Sequence, residues 1–424
     1  MATWLTFNAT TKKLVVPQDP IIPFIQGDGI GPEIWHAARP VFDAAIRKNY
    51  GTTKKIVWQE VLAGGKAYQK TGNYLPEETL ATMKKGLVSI KGPLTTPIGK
   101  GFRSLNVQIR HALDLFACVR PIHYFPGTPS PVKAPEKVAM TVFRENTEDI
   151  YAGIEFKADS TAAQELKVFL AAHAELTKVR FPTSSAFGIK PVSQEGTARL
   201  VIAAVNYSLA HKLPTVTLVH KGNIMKYTEG GFKNWGYTAI ESTFPKQVFT
   251  QRQYDKLNQI SGNKAAEEAL KTAKETGKVI INDKLPDNFL QQILLHPEDY
   301  SVIATLNLNG DYLSDALAAQ VGGIGIAPGG NINYDTGTAV FEATHGTAPE
   351  FAGQNKLNPS SLLLSGAMLF DYLGWTNVAV TIRQSIATAI QTKHVTSDFA
   401  QNLTAATTLG TQEFGAYLVR LINS

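Results

Sequence analysis

Two aspartates four residues apart are the most informative chemical feature of this chain. Asp311 and Asp315 lie in the segment 309–315, between a run typical of a strand (300–306) and a run typical of a helix (315–320). Residues at this spacing share one face of a helix. Two adjacent carboxylates repel each other unless a cation lies between them, and oxygen ligands favour a hard divalent ion such as Mg²⁺ or Mn²⁺. Acids near a helix start also interact favourably with the helix dipole, so the pair by itself leaves both interpretations open.

Basic and small polar residues about 200 positions upstream suggest a site that binds an anionic ligand. The segment 104–113 predicts a helix that begins at Ser104 and places Asn106 and Arg110 four residues apart. Arg120 lies in one strand-like run and Arg144 ends another. Each arginine taken singly is best explained by a structural salt bridge. Together they indicate a pocket for a ligand with several carboxylates, because a guanidinium group binds a carboxylate through two parallel hydrogen bonds.

Composition limits the class of protein. The chain has 424 residues, of which 44% are hydrophobic and 18% are charged, as expected for a soluble enzyme subunit of two lobes. No apolar run approaches the ~18 residues that span a bilayer, and the N-terminus lacks signal-peptide features. The single cysteine, Cys118, excludes an intrachain disulfide and favours a cytoplasmic location, with a buried apolar role in its strand. The net charge of +6 comes from scattered residues, which argues against nucleic-acid binding and favours steering of a small polyanion.

A glycine turn near the N-terminus is similar to a dinucleotide-binding fingerprint but does not fit it. The turn at 27–31 follows a buried strand at 21–25, yet its third glycine comes one position early and Pro32 occupies the required position. We therefore predict an α/β fold that is not a standard Rossmann domain, with this turn serving mainly the architecture.

Six stretches resemble bacterial isocitrate dehydrogenase, of the β-decarboxylating dehydrogenase superfamily. They are 27–33, 91–97, 104–110, 143–153, 220–226 and 307–353. The resemblance implies a two-lobed isocitrate/isopropylmalate dehydrogenase-like fold with a small clasp that interlocks the two subunits of a homodimer. The implied boundaries are 1–115 and 321–424 for the large domain, 116–150 and 195–320 for the small domain, and 151–194 for the clasp, whose part at 157–190 reads as polar and rich in turns.

The resemblance also implies the reaction and its substrate. The family converts isocitrate to 2-oxoglutarate and CO₂, a step of the tricarboxylic acid cycle, by oxidation at C2 followed by decarboxylation. The residues that would hold the three carboxylates of isocitrate are Ser104, Asn106, Arg110, Arg120 and Arg144.

Metal and proton-transfer roles follow from the same resemblance. Asp311 and Asp315, with Asp287 from the other subunit, would hold Mg²⁺ or Mn²⁺, which acts as a Lewis acid on the substrate hydroxyl. Tyr151 and Lys221 would supply and relay protons. Lys221 would also reach into the partner's pocket, so that the active sites are shared across the dimer.

The cofactor residues depart from the best-known pattern. The implied site comprises Thr95, His345, Gly346, Thr347, Ala348, Pro349, Glu350, Phe351, Asn358 and Ser397. NADP-type bacterial enzymes of this family carry Lys-Tyr where this chain has Glu350-Phe351, and Tyr and Arg where it has Ser397 and Gln401; a further arginine from the second subunit corresponds to His296. An acid at the first of these positions would accept hydrogen bonds from free ribose hydroxyls and repel a phosphate. We therefore expect NAD as the cofactor.

Three alternatives remain open at this stage. The protein could be an NADP-dependent isocitrate dehydrogenase, or a homoisocitrate or isopropylmalate dehydrogenase. It could also be a non-catalytic anion-binding protein. Ser104 and Asn106 favour isocitrate, since the isopropylmalate branch resembles a more apolar sequence in this helix. Retention of the proton-transfer and metal residues together disfavours a non-catalytic role.

Overall fold

The structure is a computed structural model that describes residues 2–96 and 104–424. Pro97, the last residue of the matched stretch 91–97, lies outside the described residues. The strands of the described chain are β1 (Thr6–Asn8), β2 (Lys13–Val15), β3 (Ile21–Ile25), β4 (Val57–Glu60), β5 (Val88–Lys91), β6 (Ala117–His123), β7 (Ala139–Glu145), β8 (Ile154–Phe156), β9 (Phe187–Ile189), β10 (Thr215–Val219), β11 (Val248–Thr250), β12 (Val279–Lys284), β13 (Val302–Thr305), β14 (Pro328–Asn333), β15 (Thr338–Ala343), β16 (His394–Val395) and β17 (Thr407–Thr408). The helices are α1 (Gly31–Tyr50), α2 (Gly65–Thr71), α3 (Glu77–Gly86), α4 (Leu105–Ala112), α5 (Thr161–Ala172), α6 (Gln194–Ala210), α7 (Glu229–Thr243), α8 (Gln251–Ser261), α9 (Asn263–Glu275), α10 (Pro286–Leu295), α11 (Asn307–Gln320), α12 (Ser360–Tyr372), α13 (Thr376–Gln391), α14 (Ser397–Ala400) and α15 (Thr411–Asn423).

One mixed sheet of eleven strands runs through the protein. Its order is β11-β12-β10-β13-β7-β6-β14-β15-β5-β3-β4. The outer pairs are parallel, whereas β6 runs antiparallel to both β7 and β14, and β14 runs antiparallel to β15. Two parallel α/β halves therefore meet at an antiparallel centre, which confirms the predicted α/β fold and the absence of a standard Rossmann arrangement.

The sheet is covered by helices on both faces, and the strand sequences show why. Every residue of β5, β13, β14 and β15 is buried, as is typical of strands that pack against helices on both sides. Helix α12 is apolar on nearly all sides because it lies between the sheet and helices α1 and α13. Within this core, Trp35 stacks on Phe24 with ring centroids 4.2 Å apart. The resulting scaffold holds strand ends in fixed relative positions.

The segment predicted to be a clasp contains more regular structure than expected. Strands β8 and β9 form a separate antiparallel pair, as a protruding element would. Between them lies the twelve-residue helix α5, although polar, turn-rich sequence was expected. Its run of Ala, Gln, Glu, Leu and Lys has high helix propensity, and Ser160 caps it by accepting a hydrogen bond from the Ala163 amide at 3.2 Å. The domain boundaries at 115, 150, 194 and 320 stay predictions, since the large sheet runs across them.

The glycine turn before α1 has the architectural role that was expected. The Asp28 carboxylate accepts hydrogen bonds from the amides of Gly65, at 2.8 Å, and Thr95, at 2.9 Å. Gly29 has φ +58°, and a Cβ there would lie 2.1 Å from the carbonyl oxygen of Thr347. Glycine is therefore required for the chain to pass this close to the segment around Thr347.

Composition led to two expectations, one about membrane-spanning helices and one about the burial of Cys118. Within the described residues, the longest apolar helices fall short of what would be needed to cross a membrane. Cys118 is buried in β6, with 1% of its surface exposed, which confirms its predicted packing role.

Candidate active site

Four elements bring the predicted acidic and basic residues together. Strands β6 and β7 are neighbours and contain Arg120 and Arg144, while α4 supplies Arg110. Strand β13 pairs with β7 in register, so the chain enters α11 directly beside Arg144. Because α11 begins at Asn307, both Asp311 and Asp315 lie within the helix, on one face, as their spacing predicted.

The two arginines of the sheet each pair with one aspartate of α11. The Arg144 side chain is 1% exposed; its Nε donates to Asn307 Oδ1 at 2.7 Å and its Nη1 pairs with Asp311. Arg120 Nη1 pairs with Asp315 Oδ1 at 3.1 Å. A Cβ at Gly310 would lie 2.5 Å from Arg144 Cγ, so the glycine lets this arginine cross under the helix. The aspartates are thus held by buried positive charge.

A buried carboxylate, Glu342, which the sequence did not indicate, orients Arg110. Glu342 Oε1 accepts from Arg110 Nη2 at 2.7 Å, and Glu342 Oε2 accepts from Lys91 Nζ at the same distance. Lys91 and Glu342 are opposite each other in the parallel pair β5–β15. The available signal was a charged residue at the end of each of two otherwise apolar strands, since such residues need partners when buried.

Several buried polar atoms in this cluster have no partner within the described part of the chain. They are Arg110 Nε, Arg120 Nε and Asn106 Oδ1. Leaving such a donor or acceptor unsatisfied costs roughly 1–3 kcal/mol. Two unpaired guanidinium N–H groups are suited to an anionic ligand. They can therefore bind carboxylates while the existing ion pairs of both arginines stay in place. Ser104 lies at the start of α4, where its side chain makes no capping hydrogen bond.

The surroundings of Asp311 and Asp315 shift their pKa values in opposite directions. Burial opposes ionisation of Asp311, but the positive charges of Arg144 and Arg120 outweigh it and lower its pKa. For Asp315 burial is the largest effect and raises the pKa, although Arg120 opposes this. One carboxylate is therefore held firmly ionised while its neighbour takes up a proton more readily than an ordinary aspartate.

Tyr151 lies against this pair. Its ring centroid is 4.8 Å from Arg144 Cζ, and its hydroxyl and Asp311 are close enough to influence each other's pKa. Burial raises the pKa of Tyr151, an effect that Arg144 only partly offsets. The phenol is consequently protonated at neutral pH and can act as a proton donor.

Lys221 and Asp287 form a separate pair. Lys221 Nζ lies 2.5 Å from Asp287 Oδ1, and the two side chains are 32% and 64% exposed. Over residues 2–96 and 104–424, no ion pair or hydrogen bond joins them to Asp311 or Asp315. The same residues contain no group of three His, Cys, Asp or Glu side chains that could hold a metal ion. One chain therefore brings together two of the three predicted metal ligands.

The predicted cofactor residues come from three segments that meet. Thr95 Oγ1 is hydrogen-bonded to Thr347 Oγ1 at 3.2 Å, and Ser397 Oγ donates to the carbonyl of Lys356 at 3.3 Å. Asn358 is buried and donates to Asp398 at 3.1 Å. The rest of the predicted set, His345, Gly346, Ala348, Pro349, Glu350 and Phe351, follows β15 in the loop and short turn that lead to Asn358.

Comparison with known proteins identifies the family. A family model described as isocitrate/isopropylmalate dehydrogenase matches residues 21–418. The chain belongs to the isocitrate/isopropylmalate dehydrogenase family. It is 57% identical over 409 residues to the isocitrate dehydrogenase (NADP) of Staphylococcus epidermidis, covering 96% of this chain and 97% of that protein. It is 55% identical over 407 residues, with the same two coverages, to that of Streptococcus mutans.

A solved structure of the same family agrees with the fold. The crystal structure of isocitrate dehydrogenase from Methylococcus capsulatus superposes with a TM-score of 0.75 at 31% identity, covering 95% of this chain and 99% of that one. The predicted membership of the family is therefore confirmed for nearly the whole length of the chain.

The expectation of an NAD-dependent enzyme, with NAD as cofactor, is wrong. Relatives that are 55–57% identical over nearly the whole chain are named as NADP enzymes. Glu350 is exposed, and within the described residues its carboxylate has no hydrogen-bond or ion-pair partner. Solvent screens such a charge, and exposed ion pairs are worth at most about 1 kcal/mol, so this acid by itself is weak evidence about the cofactor.

Proposed function

We propose that this protein is a metal-dependent isocitrate dehydrogenase that reduces NADP. The observation that carries the proposal is the pairing of the buried Arg120 and Arg144 with Asp315 and Asp311, beside Tyr151 and the largely buried Arg110. The names of the close relatives support isocitrate as substrate and NADP as cofactor. In this reaction isocitrate and NADP⁺ give 2-oxoglutarate, CO₂ and NADPH.

The polar atoms left unpaired fit a substrate with several carboxylates. Arg110 and Arg120 each keep a buried Nε without a protein partner, while their Nη atoms are oriented by Glu342 and Asp315. Arg144 is instead committed to Asn307 and Asp311, so it contributes mainly positive charge to the pocket. Two available guanidinium groups beside a third fixed charge suit the tricarboxylate isocitrate better than a dicarboxylate with an apolar branch.

The acidic residues fit a divalent ion. Asp311 and Asp315 offer carboxylate oxygens on one helix face, the donor type that Mg²⁺ and Mn²⁺ prefer. The Asp315 side chain is 57% exposed, so its oxygens are accessible to an ion. When bound, the ion would supply Lewis-acid polarisation of the substrate's C2 oxygen and adjoining carboxylate.

The chain's own residues perform the binding and the proton transfers. The arginines hold the carboxylates and so fix which face of C2 is presented for hydride loss to the nicotinamide. Lys221 takes part in removing the proton of the C2 hydroxyl. Tyr151, kept protonated by its buried position, donates a proton to the carbon from which CO₂ has departed.

We further propose that the active unit is a homodimer in which Lys221 and Asp287 complete the partner's site. Asp287 is in the first turn of α10, whose other residues include Leu290, Leu294 and Leu295 with 41%, 60% and 63% of their surfaces exposed. Tyr312, next to Asp311, is 62% exposed. Exposed apolar side chains beside each half-site are typical of an interface between subunits.

A direct spectrophotometric assay of nicotinamide reduction tests the proposed function. Purified protein is mixed with isocitrate, Mn²⁺ and either NADP or NAD, and reduced nicotinamide is followed at its absorbance band. We expect isocitrate-dependent reduction with a higher kcat/KM for NADP, abolished by excess chelator and restored by Mn²⁺. Faster turnover of isopropylmalate or homoisocitrate would assign the chain to another branch of the family, and no turnover of any of them would overturn the proposal.

A pair of matched variants ties the activity to the cluster. Arg120→Met removes a buried guanidinium, whereas Arg252→Met removes one that pairs with Glu241 at the surface and is 47% exposed. We expect the first to raise KM for isocitrate by about 100-fold or more, as loss of a charged hydrogen bond does. The second should leave KM unchanged. Equal effects would show that Arg120 does not contact the substrate.

A further inference from the structure

A buried ionic cluster contacts the backbone of the two segments that contain Tyr151 and Lys221. It consists of Lys190, Asp149 and Glu229, and is called the Lys190 cluster below. Lys190 Nζ lies 2.5 Å from Asp149 Oδ1 and 2.9 Å from Glu229 Oε1. The carboxylate side chains are 0% and 1% exposed, and the lysine is 16% exposed. Two buried carboxylates that share one ammonium need further hydrogen-bond donors, because an uncompensated buried charge is strongly destabilising.

On the Asp149 side, those donors are backbone amides of catalytic segments. Asp149 Oδ2 accepts from the Leu308 amide at 2.9 Å, in the first turn of the helix that contains Asp311. Asp149 Oδ1 accepts from the Ile150 amide at 2.7 Å, one residue before Tyr151. One side chain therefore joins the backbone near Tyr151 to the start of the metal-binding helix.

On the Glu229 side, the donors come from the other catalytic segment. Glu229 Oε2 accepts from the backbone amide of Lys221 at 2.7 Å and from Asn309 Nδ2 at 3.0 Å. Asn309 lies on the same helix, α11, two residues before the aspartate that pairs with Arg144. Both carboxylates of the cluster thus contact the first turn of α11 and connect it to the segments that contain Tyr151 and Lys221.

The backbone at Asp149 depends on these contacts. Asp149 has φ +67°, in the left-handed region that residues other than glycine adopt only at a cost of about 1–2 kcal/mol. Its amide donates to the carbonyl of Pro191 at 3.0 Å, directly after Lys190. A strained conformation persists where surrounding contacts over-determine it, and here Lys190 and its neighbour supply two of those contacts.

We infer that Lys190 is a positioning residue for the reaction: by pairing with both Asp149 and Glu229 it holds Tyr151, Lys221 and α11 in fixed relation. This inference rests on the proposed function. Lys190 follows β9 of the segment 151–194, so the cluster also connects that segment to the catalytic residues. The ion-pair partners of Lys190, Asp149 and Glu229, are not among the proposed substrate-binding residues, so we expect its effect on turnover and not on substrate affinity.

Replacing Lys190 tests the inference through kinetics. Lys190→Met keeps the length of the stem and removes the charge. We expect kcat to fall roughly 10- to 100-fold, as for displacement of catalytic groups by a fraction of an ångström to an ångström. KM for isocitrate should change by less than about 3-fold, and Lys190→Arg should recover most of kcat. The matched control is Lys157→Met in the same segment, since Lys157 pairs with Asp159 and the two side chains are 81% and 72% exposed.

Hydrogen exchange supplies a readout that does not depend on activity. In Lys190→Met the peptides that contain the amides of Ile150, Leu308 and Lys221 should exchange faster together, while those of α12 stay protected. Faster exchange throughout the protein would indicate a general structural role and overturn the inference, as would unchanged exchange or unchanged kcat. If Lys190→Met does not fold, Lys190→Gln replaces it in both measurements. A wild-type protein that does not oxidise isocitrate refutes the proposed function, whereas the exchange result still decides the positioning role.

Discussion

Replacing Glu342 with glutamine removes one buried negative charge and keeps the shape of the side chain. Glu342 lies 2.7 Å from both Lys91 Nζ and Arg110 Nη2, and the Lys91 side chain is 2% exposed. Removing one partner of a buried ion pair costs about 3–5 kcal/mol because the other charge stays buried. The amide oxygen of glutamine can still accept one hydrogen bond, so we expect a loss near the lower end, about 3 kcal/mol.

The pH dependence of this loss follows from the pKa of Glu342. Burial opposes its ionisation, but Lys91 and Arg110 outweigh burial and hold the pKa far below the usual range. Stability from a carboxylate with a depressed folded-state pKa is fully present above the unfolded-state pKa, and it is lost only as pH falls through the folded-state pKa. The difference between wild-type protein and Glu342→Gln should therefore be constant between about pH 6 and pH 8.

Urea unfolding followed by circular dichroism, at one protein concentration, measures the difference. Asp335→Asn is the control, because Asp335 pairs with Lys12 at the surface with side chains 64% and 55% exposed. It should change the free energy of unfolding by no more than about 0.5 kcal/mol. Glu342→Gln should also raise KM for isocitrate, since Arg110 loses the carboxylate that orients it. A loss below about 1 kcal/mol, or one that shrinks from pH 8 to pH 6, would show that water solvates Lys91 and Arg110 and would refute the reasoning.

Four further predictions concern the proposed chemistry and assembly. Asp311→Asn should lower kcat with Mn²⁺ by about 100-fold or more without changing the far-ultraviolet circular dichroism, and near-normal turnover would exclude Asp311 as a metal ligand. Mixed dimers of Lys221→Met and Arg120→Ala, each inactive by itself, should regain activity in one of their two pockets; none in a verified mixed dimer counts against shared sites. Burial raises the pKa of Asp315, so Mn²⁺ affinity measured by paramagnetic resonance should weaken on mild acidification earlier than for an ordinary aspartate pair, and a pH-independent affinity would contradict this. Leu294→Asp should halve the mass in light scattering, and an unchanged mass would place the interface elsewhere.

The local elements around the site could be predicted because their signals are short-range. The buried strand at 21–25 lies where it was predicted, and Asp311 and Asp315 share one face of a helix as their spacing predicted, although that helix begins at Asn307 and not near Asp315. The helix at 161–172 was missed because its polar flanks dominated the interpretation, although Ser160 provides a cap. The prediction of NAD as the cofactor was wrong because it relied on the type of residue at Glu350 and not on its exposure. The charge of Glu350 is solvated and has no fixed partner among the described residues.

The amino-acid sequence by itself determined the family, the α/β class and the set of acidic and basic residues available for chemistry, since these depend on residue identity and local spacing. The tertiary structure decided which charges neutralise each other. Lys91 and Glu342 are 251 residues apart and meet only through the register of β5 and β15, and Lys190 reaches Asp149 and Glu229 from a separate two-stranded sheet. Such partners are set by sheet order and packing. Each buried charge needs an oppositely charged group within hydrogen-bond distance, and only the tertiary structure determines which group that is.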